Sequence, residues 1–174
     1  LGEKIAYKTV EHFSKEGFCI VSGLALGIDA IAHQAALDNQ GHTLAVLVDL
    51  ISIAPSNHRD LAEQILRKGG LLVSENPPGT KIIPPLFAKR DRIQAGLALA
   101  VFAIETSIDG GTMHAVRAAS SLKRKVFVPN ANAAGYPDLG IEQISGTQSL
   151  VNSKVATPYT RENYANIAHA LTLL

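Results

Sequence analysis

Phe18-Cys-Ile-Val-Ser-Gly-Leu-Ala-Leu-Gly-Ile-Asp29 reads as a strand, a glycine turn and the opening of a helix. Residues 18–21 are a short apolar run, Ser22, Gly23 and Gly27 interrupt it, and Ile28, Ile31, Ala32, Ala35 and Ala36 then recur at helical spacing up to residue 37. The same alternation extends in both directions. Upstream, Val10 and Phe13 mark the apolar side of a first helix ending near Gly17. Downstream, residues 43–48 read as strand and 57–68 as helix, with Leu61, Ile65 and Leu66 on its apolar face. Residues 71–73, 100–104 and 126–128 continue the strand series. Short unbroken apolar runs suit strands covered on both faces, so the pattern predicts an α/β fold with a doubly wound, mostly parallel sheet.

Local chemistry sets the expected boundaries. Asn57 is a candidate helix cap, and Gly69-Gly70 can end that helix. Pro77-Pro78-Gly79 and Pro84-Pro85 predict a loop that cannot join a ladder. Residues 131–153 are weakly periodic, with Gly135, Pro137, Gly140 and Gly146, and Thr160 can cap a last helix running to Leu174. The chain starts at Leu1, its first readable element is a helix, and a first strand of the sheet is therefore expected ahead of it.

The length of 174 residues, 47% of them hydrophobic, supports one compact domain over residues 1–174. A net charge of +1 does not describe a chain coated by nucleic acid, so polyanion binding must rest on a local patch. The single Cys19 excludes an internal disulfide and a cysteine-rich zinc site, and within its apolar run it is expected as a small buried hydrophobe. No stretch reaches the roughly 18–20 apolar residues of a membrane span, and no signal segment opens the chain, so a soluble cytoplasmic protein without a membrane partner is expected.

Ligands of open parallel sheets bind beyond the carboxyl ends of the strands. Ser22, Gly23, Leu24, Ala25 and Gly27 form one such turn, Ser74-Glu75 a second, and Glu105 through Gly110, Gly111 and Thr112 a third. Glycine turns leading into helices let backbone N–H groups approach a phosphate. Between the second and third turns lies Phe87-Ala-Lys-Arg-Asp-Arg-Ile-Gln-Ala-Gly-Leu97, which puts Lys89, Arg90 and Arg92 at the expected start of a helix. The P-loop needs Lys before its Thr, whereas Gly111 precedes Thr112, and Gly23-x-x-x-Gly27 misses the dinucleotide fingerprint. No cofactor, metal or catalytic residue is called for: His33 reads as structural, His114 as a solvated helix residue, and Lys123-Arg124-Lys125 as a helix end favoured by the dipole.

In order along residues 17–129, the chain resembles the DNA-processing protein A family, the DprA or Smf proteins. The matching residues are Ser22 to Asp29 with Ala32-His33, Gly41 with residues 43–46, Asn57 to Leu61, Gly70-Leu-Leu-Val-Ser-Glu75, Phe87 to Leu97, Glu105, and Gly110-Gly-Thr112. The resemblance implies a Rossmann-like domain that binds single-stranded DNA without enzymatic activity, hands it to a RecA-type recombinase during DNA uptake, and acts as a homodimer. It assigns DNA or phosphate contact to the two glycine turns and to Phe87, Lys89, Arg90 and Arg92, with Asp29, Glu75, Glu105 and Met113 orienting cations or touching the ligand. Asp91 stands where the family has Asn, and Gly-Gly-Thr-Met replaces its more usual Ser-Gly-Ser-Leu. A sensor holding a small nucleotide and a LOG-like nucleoside-monophosphate phosphoribohydrolase are the rivals. The hydrolase motif has Glu three residues after its Thr, where this chain has Ala115.

Overall fold

The computed structural model describes residues 1–134 and 144–174; Gly135, Pro137 and Gly140 lie outside the described residues. Helix α1 (Gly2–Lys15) leads into β1 (Ile20–Ser22), then α2 (Ile28–Asp38), β2 (Thr43–Val46), α3 (Arg59–Arg67) and β3 (Leu71–Val73). The second half runs α4 (Pro84–Leu97), β4 (Ala100–Phe102), α5 (Thr112–Ser121), β5 (Lys125–Pro129), the short α6 (Ala131–Ala134), α7 (Ser145–Asn152), β6 (Thr157–Tyr159) and α8 (Tyr164–Thr172).

All pairings are parallel: β2 lies between β1 and β3, and β5 between β4 and β6. Side chains alternate across β5. Phe127 packs with Phe13 of α1 and Ile167 and Leu171 of α8, while Val126 and Val128 pack with Ala95 of α4, Val116 and Ala119 of α5, and Leu150 of α7. Such two-sided burial is what turns a strand sequence into a continuous apolar run rather than an alternating one.

The two three-stranded sheets do not join directly. A cavity of about 1150 Å³ opens between the β1 and β4 edges, with Ala6, Val10 and Phe13 of α1 and Phe87, Gln94 and Leu97 of α4 also on its walls. Cys19 borders this opening and is exposed, contrary to the expectation of a buried thiol: it precedes β1 on the cavity wall instead of lying within a covered strand.

Other departures have local causes. The pair Pro84-Pro85 opens α4 instead of extending the loop: the first helical positions need no N–H donor, and the proline φ is already helical. Asn57 sits in a short 3-10 turn, Ser56–His58, and makes no side-chain cap. Thr160 does cap: its backbone and side chain share Asn163 in a reciprocal box ahead of α8. Among the described residues, no helix is long and apolar enough to cross a membrane.

A candidate nucleic-acid interface held by internal carboxylates

The turn after β1 is organised by Asp29. Its carboxylate accepts from Ser22 Oγ at 2.7 Å and from the N–H groups of Gly23 and Ala25, each at 3.1 Å. The backbone donors expected to meet a phosphate therefore already serve a carboxylate of the same turn. Gly27 follows with φ +82°, a conformation in which a side chain is strained. Leu24 is fully buried and packs with Leu61, Ala62 and Ile65 of α3, so its side chain serves the core and only its backbone faces the turn.

Helix α4 lies across the carboxyl ends of β1 and β3, and its two faces differ. Because the helix begins at Pro84, the cations sit in its second and third turns, not at its start, and the free N–H groups of its first turn do not add to them. Arg90 and Asp91 face inward and are 5% and 9% exposed. Arg90 Nη1 donates to Asp91 Oδ1 at 2.7 Å, its Nη2 donates to the Gly23 carbonyl at 2.9 Å, and Asp29 lies 4.0 Å away. A Cβ on Gly23 would run into this guanidinium, so glycine is needed there for close approach. Arg90 thus ties α4 to the β1 turn.

Lys89 and Arg92, three residues apart, share the outer face, and each side chain is 54% exposed. Glu75, immediately beyond β3, pairs with both: one carboxylate oxygen lies 3.6 Å from Lys89 Nζ and the other accepts from Arg92 Nη2. Phe87 is half-buried on the cavity wall, and Thr112 and His114 face the same opening from α5. Thr112 is the first residue of α5 rather than its cap, which is Gly111. Gly110 packs against the Thr106 hydroxyl. Met113 turns toward the apolar layer of Val116 and Ala119 instead of the ligand side, a correction that follows from the 100° step between neighbouring helical residues. Glu105 is also away from the cations, its carboxylate resting on Gly2 at the amino end of α1, where the helix dipole favours an anion.

Two buried titratable groups flank this network. Burial lowers the His33 pKa to about 4, and its Nδ1 shares a 2.7 Å hydrogen bond with the Thr43 hydroxyl, consistent with a structural role. Burial raises the Asp91 carboxyl to about 6, although Arg90 opposes the shift. The folded chain then holds this proton more tightly than the unfolded one. The stability that Asp91 contributes is full below its unfolded value of 3.8 and is lost as pH rises through about 6. A carbon-13 titration of the side-chain carboxyls should give Asp91 a midpoint near 6; a midpoint near 4 would show that the site is wetter than this geometry.

Residues 1–171 match the family described as DNA recombination-mediator protein A. The chain belongs to that family. It is 38% identical over 154 residues to Protein Smf of Synechocystis, covering 87% of this chain and 37% of that protein, and 40% identical over 130 residues to Protein Smf of Escherichia coli, covering 72% and 34%. It therefore spans little more than a third of these curated relatives. The fold matches DNA processing protein A of Helicobacter pylori, a structure described for its single-stranded DNA binding mode, with TM-score 0.82 and 25% identity over 99% of this chain and 74% of that one. It also matches DNA processing protein A of Streptococcus pneumoniae, with TM-score 0.80 and 30% identity over 95% and 56%.

Proposed function

We propose that this domain binds single-stranded DNA along the outer face of α4, without bond-breaking chemistry, and presents it to a recombinase. The observation that carries the reading is the placement of Lys89 and Arg92, exposed on one helical face at the carboxyl ends of β1 and β3. A strand lying there would have its phosphates neutralised by two cations, whereas Phe87 lies on the opposite, cavity-facing side of α4 with Arg90 and Asp91. The family description and the DNA-binding relative point the same way. A cytoplasmic location and a homodimer belong to the same reading; exposed Leu97, Leu99 and Leu122 supply apolar surface for a second copy. Light scattering that reports a monomer with and without DNA would remove the dimer.

Fluorescence anisotropy of a labelled oligo-dT strand, with AMP as competitor, tests the function. Salt-sensitive binding that resists AMP is the expected result. Binding of AMP by calorimetry without any binding of oligo-dT would replace this reading with the nucleotide sensor, and release of free adenine from AMP would replace it with the hydrolase.

A further inference from the structure

We infer that Glu75 is a built-in competitor for the DNA backbone, occupying the position of one phosphate between Lys89 and Arg92 until a strand displaces it. The inference rests on the single-stranded DNA reading above and adds regulation to that site. Each oxygen of the Glu75 carboxylate faces a different cation, the arrangement a bridging phosphate would adopt. Glu75 is also held in place. The residues on either side are anchored to β2 and its extension: Ser74 Oγ and Asn76 Nδ2 both donate to the Val48 carbonyl, at 2.9 and 2.8 Å, and the Asn76 N–H donates to Ser74 Oγ. The carboxylate is therefore presented from a fixed turn.

The three carboxylates of this region differ in how easily a ligand could replace them. Asp29 accepts three hydrogen bonds within its own turn, and Asp91 is buried against Arg90, so both are part of the framework. The Glu75 side chain is 26% exposed and its partners are 54% exposed, so its contacts are solvent-screened and weak enough to exchange. A carboxylate and a phosphate cannot share the same two donors without repulsion. DNA must displace Glu75, and the measured affinity is reduced by the fraction of molecules in which it is still docked.

Glu75→Gln keeps the size of the side chain and removes its charge. Oligo-dT affinity at matched low salt should rise about two- to thirtyfold, the range for releasing two exposed pairs. The dependence on salt should steepen, because free cations now release counterions on binding. Removing any surface acid can raise DNA affinity slightly, so the same substitution is made in a Lys89→Ala, Arg92→Ala background, where the gain should vanish. A gain that persists there, or a Glu75→Gln protein that binds equally or more weakly, overturns the inference while leaving DNA binding by the parent intact. Failure of both the parent and Glu75→Gln to bind oligo-dT overturns the functional reading and this inference together.

Discussion

Arg90→Ala is expected to destabilise the fold by about 3–5 kcal/mol, a loss on the order of 10 °C in Tm for a chain of this size. The residue sits in the middle of the cationic segment, and its sequence position suggests a phosphate ligand. Its surroundings say otherwise: both terminal nitrogens are engaged, one by Asp91 and one by the Gly23 carbonyl, and the side chain is 6% exposed. Truncation leaves the Gly23 carbonyl without this donor and the buried Asp91 carboxylate without its cation, held only by Gln94 Nε2 at 2.8 Å, the costly direction of breaking a buried pair. Arg90→Lys should recover only part of the loss, since one ammonium cannot present the two directed donors of the guanidinium fork. Thermal unfolding followed by circular dichroism checks this, and a Tm for Arg90→Ala close to that of the parent would show that Arg90 does not join α4 to the β1 turn.

Lys89→Ala with Arg92→Ala should have the opposite profile. Both side chains are exposed and pair with Glu75 alone among the described ion pairs, so the Tm should hardly move. Binding of oligo-dT should fall at least about tenfold, and the slope of log affinity against log salt should shrink by about 1.4, roughly 0.7 for each single-strand phosphate that is no longer neutralised. A folded double variant with unchanged affinity and slope would place the DNA elsewhere. The contrast with Arg90 separates the cation that holds the site together from those that meet the ligand.

The sheet was legible because strands covered on both faces leave continuous apolar runs, as at residues 126–128; residues 71–73 also form a strand, but at the sheet edge with Leu71 exposed. β6 was not, since Thr157-Pro158-Tyr159 carries a proline and only one fully buried residue, the composition of an edge strand. α7 is hidden for a similar reason, being built largely from Ser, Gly, Thr and Gln with few apolar positions to set a period.

The residue types of the candidate site were legible, but their pairing was not. Asp29 lies within seven residues of all three of its donors, so its organising role is local and could have been read from the turn itself. Arg90 and Gly23 are 67 positions apart, and only the packing of α4 over β1 brings them together. The inward turn of Arg90 also depends on where α4 starts. Opening the helix at Pro84 sets the phase that buries residues 90 and 91 and exposes 89 and 92. Spacing alone placed all three cations on one phosphate edge; the helix divides them between core and surface.

The most direct measurement is photocrosslinking of a bromodeoxyuridine-substituted single strand to this chain, followed by peptide mapping. Adducts are expected within α4, at and around Lys89 and Arg92, and in the neighbouring turns after β1 and β3. Adducts confined to the basic run Lys123-Arg124-Lys125, with none in α4, would contradict it.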